Sequence, residues 1–383
     1  MTLSYRVLFF MVSTIIKRRS VSAVDDSLSS WQEIKHHFQD GGILLGNGFS
    51  QAVWKKFGYS SIYETSCLPE KIPHPISAKD KKLFSSANTS NFERVLSYLS
   101  ITSRTTDIFD GDISPFEESY ERIKTALGEA IQSVHVPRDL MTDEVLTAIR
   151  TELRNYRHVY STNYDLLPYW SIMAEHSNGG DFKDFFWQRD ESRALVFDMT
   201  DTSIWKHSAT RIYYLHGALH LYRDPWTGRT HKLVNGDEGN LLDKVELPLF
   251  ISEGSSEDKQ QAIRESDYLT FAYQSFLQHE GPLVIFGHSL DDSDKHLVQA
   301  ISRQSPNKIA VSIRGTHSSG AILEKKARLK NALRKVNRYD RQPELLFFDS
   351  GTHPLGSPDL EIPESSSLHI PNWHDIDLSD IPF

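Results

Sequence analysis

Four short polar stretches, each directly after an apolar one, hold the residues of this chain that are equipped for chemistry. In Ser161-Thr162-Asn163-Tyr164-Asp165, the Asn163 amide both donates and accepts, so it can hold a sugar hydroxyl or orient a water without adding charge. His216 is a residue type that takes up a proton near neutral pH, and Gly217 beside it leaves room for a ligand against the backbone. In Gly46-Asn47-Gly48-Phe49-Ser50 the glycines permit a tight turn and a close approach to a pyrophosphate, with Ser50 and free amides at a following helix start as donors. In Gly287-His288-Ser289-Leu290, Ser289 and its neighbouring amides suit a second part of a nucleotide. Phosphate, ribose and a mobile proton are the common theme.

Each stretch also has a plainer explanation. The glycine loop reads equally as a tight strand-to-helix turn, Asn163 or Asp165 as a helix cap, and His216 as a structural histidine. Asp292 or Asp294 suits the cap of a helix through Leu297, Val298 and Ile301, a simpler use for that acidic run than Mg²⁺ binding. His220 offers a metal pair with His216, but no compact set of carboxylates and histidines at standard ligand spacing accompanies them, so no metal is expected. The loop at 46–50 is not GxGxxG, and GxxxxGK[ST] occurs nowhere, which argues against a P-loop NTPase.

The elements that position these residues follow from hydrophobic pattern. Apolar runs at 43–45, 158–160, 211–215, 283–286, 308–313 and 345–348 are short, nearly continuous and end in small or polar residues, as expected of strands covered on both faces by helices. In such a sheet, ligands sit beyond the carboxyl ends of the strands, where all four stretches fall. Helical spacing marks Phe92, Val95, Leu96 and Leu99, with Ser90 and Glu93 as a capping box; then Phe116, Tyr120, Ile123, Leu127 and Ile131; then Leu146, Ile149, Leu153 and Tyr156. The expected fold is therefore α/β, a Rossmann-like doubly wound parallel sheet with a helical insertion at about 58–156 between its first two strands. Residues 177–209, with Phe182, Phe185, Phe186 and Trp187, fit a hairpin or a helix equally.

A formal charge of −9 argues against broad nucleic-acid binding, and the single cysteine, Cys67, excludes an internal disulfide and a thiolate zinc cluster, which suits a cytoplasmic protein. The apolar run at 7–16 is too short to span a bilayer and carries its basic cluster, Lys17-Arg18-Arg19, on the wrong side for a secretory signal. Residues 1–30 thus read as a flexible leader or an over-called start, 31–354 as one nucleotide-binding catalytic domain, and 355–383 as a loosely attached acidic tail with Pro and Ser. A basic helix with Lys325, Lys326, Arg328, Lys330, Arg334, Lys335 and Arg338 is either a solvated face or a docking face.

Taken in order, the four stretches resemble the sirtuin-like family of NAD-consuming domains, whose members carry a Gly-Ala-Gly-x-Ser loop, Thr-Gln-Asn-Ile-Asp, His-Gly and Gly-x-Ser-Leu. The likeness is greater to bacterial sirtuin-like proteins with Gly-Asn-Gly-Phe, Thr-Asn-Tyr-Asp, Leu-His-Gly and Gly-x-Ser-Leu-x-Asp-x-Asp, several of which act in antiphage defence by destroying NAD. It covers about residues 41–350, with identity concentrated at the motifs. The resemblance implies NAD as substrate, Asn163 and His216 as the catalytic pair, and contacts to NAD from Gly46, Asn47, Gly48, Phe49, Ser50, Thr162, Asp165, Gly217, Gly287, Ser289 and Leu290. It implies an NAD hydrolase that releases nicotinamide and ADP-ribose and brings about abortive infection; because unregulated hydrolysis would poison its own cell, control by self-assembly or by a separately encoded sensor is expected. A nucleotide sensor without turnover and an ADP-ribosyl or acyl transferase are the alternatives. Two departures matter: the paired Cys-x-x-Cys zinc module of deacetylating sirtuins is absent, which demotes deacylation, and Asn47 replaces the loop alanine.

Overall fold

Ile43, Leu44 and Leu45 lose all contact with solvent, which in so short a strand requires cover on both faces. The computed structural model describes residues 26–57, 62–173, 181–188, 195–200, 209–224, 227–233, 248–251, 256–304, 306–335 and 343–363. In chain order the strands are β1 (Gly42–Leu45), β2 (His158–Ser161), β3 (Phe182–Lys183), β4 (Phe186–Gln188), β5 (Leu195–Phe197), β6 (Thr210–Tyr214), β7 (Gly217–Arg223), β8 (Thr230–Lys232), β9 (Pro248–Phe250), β10 (Leu283–Phe286), β11 (Lys308–Ile313) and β12 (Glu344–Asp349).

Seven strands form an all-parallel sheet in the order β12-β11-β10-β1-β2-β6-β3. From β1 the chain builds to one side through β2, β3 and β6, then crosses over and continues as β10, β11 and β12. The direction of growth reverses between β1 and β10, which makes that boundary the topological switch point of a Rossmann-like α/β fold. All six strands expected from the sequence are present.

A second, antiparallel sheet in the order β4-β5-β8-β7-β9 is absent from the sequence reading. Within 177–209, Phe182–Lys183 adds an edge strand to the main sheet, while Phe186–Gln188 and Leu195–Phe197 pair antiparallel, which settles the described part as extended. The Phe186, Phe197, Tyr268 and Phe271 rings meet between this sheet and the helix Asp267–Leu277.

Between β1 and β2 the described chain is helical: Asn47–Val53, Ile62–Ser66, Ala78–Ser86, Phe92–Ile108, Ser114–Val134 and Asp143–Leu153, with short 3₁₀ turns. The expected apolar faces point inward, and burial of a side chain such as Leu96 or Ile123 stabilises by about 2 kcal/mol. One detail differs: Asn91, not Ser90, caps Phe92–Ile108, its Oδ1 accepting from the Arg94 amide at 3.1 Å. The amide of a residue in extended conformation directly before the helix reaches that donor. Arg122 holds the fully buried Asp80 through two 3.1 Å bonds, tying Ser114–Val134 to Ala78–Ser86.

The basic helix Ser319–Lys335 turns Ile322, Leu329 and Leu333 inward, Lys326 donates to Ser27 O, and Arg328 grips residues 289–291. It is a covering helix of the sheet, and Val336 and Arg338 lie outside the described residues. The chain past 354 is packed as far as Ile362, because Leu355, Leu360 and Ile362 are buried and the Ile362 amide donates to Val53 O at 2.8 Å. The expected loose tail therefore does not begin at 355; Trp373 and Phe383, like the leader at 1–25, lie outside the described residues. No described helix is long and apolar enough to cross a membrane.

Candidate active site

Phe286, Leu45, Ser161 and Tyr214 stand in one register row across β10, β1, β2 and β6. The four polar stretches begin at or just beyond these residues, so the parallel register brings Gly287, Gly46, Asn163 and His216 to one edge of the sheet, beside the switch point. The Thr162 amide and hydroxyl both donate to Leu45 O, and the Leu215 amide donates to Ser161 O, which locks the strand ends together.

The two glycine turns interlock. A Cβ on Gly46 would lie 2.7 Å from His288 Cα, and one on Gly48 2.7 Å from Gly287 Cα. The Gly46 amide donates to Phe286 O and the Gly48 amide to Gly287 O, at 2.9 and 2.8 Å. These glycines therefore make room for each other's backbone before they make room for any ligand. The donors expected at the start of Asn47–Val53 are fewer than the sequence suggests, since Gly48 and Phe49 have protein acceptors. The Asn47 side chain turns away to Phe57 O, and Phe49 is buried.

Below the turns runs a buried chain of polar side chains. Asn163 Nδ2 donates to Ser50 Oγ at 2.7 Å and to Gly46 O at 3.2 Å, and Ser50 Oγ donates to Asp165 Oδ2 at 2.5 Å. With both hydrogens of Nδ2 engaged, Oδ1 is the group of the amide without a partner among the described residues, free to accept from a hydroxyl or water. Asp165 also accepts from the Leu167 amide at 3.0 Å, starting the helix Leu167–Met173. The resemblance implies contacts to NAD from both Asp165 and Ser50; the two bond each other.

Burial raises the Asp165 carboxyl to about 6, against the pull of its Ser50 and Leu167 donors. A carboxyl with a raised folded-state pKa stabilises the fold when protonated, so its contribution is complete below the unfolded value near 4 and is lost as pH rises through about 6. Asp165→Asn does not titrate. Its stability relative to the parent chain should therefore climb by about 2 kcal/mol between pH 4 and pH 7, measured by urea unfolding at each pH. A constant difference would refute the raised carboxyl.

His216 and Gly217 form the corner where β6 leaves the parallel sheet and β7 starts the antiparallel one. Gly217 takes φ +74°, open to glycine at little cost, and the His216 carbonyl accepts from the Ile251 amide at 2.7 Å. Behind the His216 ring lies a group that sequence reasoning missed. His216 Nε2 is 2.9 Å from His296 Nε2, and Lys259 Nζ donates to Asp294 Oδ1 at 2.7 Å. Burial, then the Lys259 charge, pushes the His216 pKa well below its ordinary value, so the ring is neutral at pH 7 and carries a free electron pair. Burial opposes ionisation of Asp294, but His216 and His288 when charged, with the Lys259 ammonium, outweigh it and hold its carboxyl far below the usual range.

Asp294 thus serves an ion pair rather than a helix cap, and Asp292 is exposed beside Lys295. His220 does not meet His216; its ring stacks on Tyr169 with centroids 4.1 Å apart. The only set among the described residues with metal-ligand proximity is His216, Asp294 and His296, their ligand atoms within 4.8 Å. Ser289 and Leu290 are held from behind, with Arg328 donating to both carbonyl oxygens, and Leu290 is buried at φ +52°. A signal for His296 was present in Asp294-x-His296 after the fourth motif, where the acidic residues drew the helix-cap explanation.

A family model described as "Domain of unknown function (DUF4917)" matches residues 43–355. The chain belongs to this family. The DUF4917 match opens in β1 and closes just past β12, so it encloses both sheets and all four motifs. No curated protein matches the chain.

Proposed function

We propose that the protein is an NAD glycohydrolase that cleaves the nicotinamide-ribose bond to give nicotinamide and ADP-ribose. The observation that carries this reading is the meeting of Asn163, tethered through Ser50 to Asp165, with His216 on adjacent strand ends beside the two interlocked glycine turns. That constellation matches the order and residue types by which the sequence resembles sirtuin-like NAD-consuming domains.

The N–C bond breaks with its electron pair going to nicotinamide, while positive charge builds on the ribose. Asn163 Oδ1 accepts from the attacking water or a ribose hydroxyl, and neutral His216 takes the water proton as oxygen bonds to the ribose carbon. The Asn47 amide and the backbone of the turns at 46–50 and 287–290 would hold the diphosphate, with Thr162 and Ser289 lining the approach; Phe49 and Leu290 are buried behind it, and the space over Gly217 is taken by the Leu249 carbonyl. Cyclisation, with a hydroxyl of the substrate in place of water, uses the same groups. Depletion of NAD in an infected bacterium is the biological role this reading proposes, with self-association or a separately encoded sensor as its control.

One observation favours a second reading, a nucleotide sensor without turnover: Asn163 and His216 are almost wholly buried. Purified protein incubated with NAD, with nicotinamide and ADP-ribose followed by chromatography and His216→Ala alongside, separates the two. Hydrolysis lost in the variant supports the enzyme. NAD binding by calorimetry without products supports the sensor, and neither products nor binding overturns both.

A further inference from the structure

We propose that His296 is the positioning partner of His216, holding its proton on Nε2 so that Nδ1 is the basic atom of the site. The proposal rests on the NAD-cleaving reading for its kinetic consequences, though the hydrogen bond itself does not.

The Nε2 atoms of the two rings are 2.9 Å apart, the length of an N–H···N bond, so one must donate and the other accept. Two imidazoles on one tetrahedral zinc, with bonds of about 2.0–2.1 Å, stand about 3.3 Å apart. The third member of that group, Asp294, is already neutralised by the Lys259 ammonium at 2.7 Å. A shared proton accounts for the geometry without a cation.

The far side of His296 suits one direction. Its backbone amide donates to Ser256 Oγ at 3.0 Å, and its Nδ1 stands 3.3 Å from the same oxygen. When Nδ1–H also donates there, Ser256 accepts twice, His296 Nε2 is left as an acceptor, and His216 must supply Nε2–H. His216 Nδ1, which has no partner among the described residues, then carries the free pair. Tyr273, whose hydroxyl donates to His296 O at 2.9 Å, and the fully buried position of the His296 ring hold this arrangement.

In turnover, water gives its proton to His216 Nδ1 and its oxygen to the ribose carbon, while nicotinamide leaves with the bonding pair. The imidazolium keeps Nε2–H on His296 Nε2 and afterwards returns the Nδ1 proton to solvent. The charged and titratable groups facing His216 in this cycle are Lys259, Asp294, His288 and His296.

Two measurements on the full chain decide the matter. The first is a long-range ¹H–¹⁵N spectrum of histidine-labelled protein without substrate: His216 should carry its proton on Nε2, and His296→Ala should abolish that fixed tautomer. The second is the pH–rate profile of NAD hydrolysis for the parent chain, His296→Ala and His296→Gln. His296→Ala should lower kcat by about 10²-fold and shift the acidic limb of the profile, with NAD affinity changed less than twofold; His296→Gln, able to accept through Oε1, should recover part of the rate. A merely structural role would lower the melting temperature and leave the profile in place, which overturns the proposal. So would stoichiometric zinc in the purified protein, lost together with activity on chelation. A fixed tautomer in a chain that does not cleave NAD would sink the enzymatic reading and leave the hydrogen bond standing.

Discussion

Asn163→Ala should lower NAD cleavage by about 10²–10³-fold while the protein stays folded, and Asn163→Asp should be at least as damaging for a different reason. Alanine removes Oδ1, the acceptor free for the reacting hydroxyl, and also the donor that holds Ser50 Oγ at 2.7 Å. Aspartate keeps an acceptor of the same shape but replaces the Nδ2 donor with a second oxygen, which would face the Gly46 carbonyl at 3.2 Å and the Ser50 hydroxyl. Ser50 donates to Asp165 at 2.5 Å, so it has no second proton to offer. The variant therefore buries two acceptors against each other beside a carboxylate, and should lose about 2–3 kcal/mol of stability at pH 7 as well as activity. Chromatography of products and urea unfolding read the two effects separately. An Asn163→Asp protein as stable and as active as the parent would mean that the amide hydrogens do not hold the glycine turn.

The unequal legibility of the fold has physical reasons. Strands such as 43–45 and 283–286 are buried on both faces and unbroken by polar residues, so composition alone marks them. β3 has two residues, Phe182 and Lys183, too few to display any period, and among the described residues the antiparallel sheet is built from segments of three residues apart from β7. Aromatic clusters at 182–187 announce burial without announcing its geometry. Leu355 and Leu360 pack from 3₁₀ turns and Ile362 from the irregular chain after them, a spacing that matches neither helix nor strand.

The candidate site divides along the same line. Glycine, asparagine and histidine at strand ends could be found because their position in the fold follows from the strands. The Ser50–Asp165 bond, across 115 positions, and the His216–His296 contact, across 80, depend on register between strands and on the helix Lys295–Gln304, which no local pattern fixes. Polar residues whose partners are other polar residues are the hardest to assign from sequence, since capping, metal binding and ligand contact ask for the same side chains.

Gly287→Ala should be a severely disruptive single-methyl change at the sheet edge, and Gly281→Ala provides its internal control. Both glycines have positive φ, +67° and +102°, so both substitutions force an L-residue into a left-handed conformation that costs about 1–2 kcal/mol. At Gly281 nothing lies within 4 Å of the new Cβ, and the loss should stop there. At Gly287 the methyl would stand 2.4 Å from the Phe49 amide nitrogen and 2.7 Å from Gly48 C, both backbone atoms unable to rotate away. Retreat is blocked on two sides, because the Gly287 amide donates to Ser312 Oγ at 2.9 Å and its carbonyl accepts from the Gly48 amide at 2.8 Å. Moving one turn must therefore break the bonds that join it to the other, and with them the support of Gly46 and Ser50 under Asn163. The total loss should exceed about 4 kcal/mol, at least twice that of Gly281→Ala, with NAD cleavage falling in whatever fraction remains folded. Equal losses in urea unfolding at the two positions would show that the turns at 46–50 and 287–290 are not in contact in solution, and the nucleotide site built on their contact would fall with them.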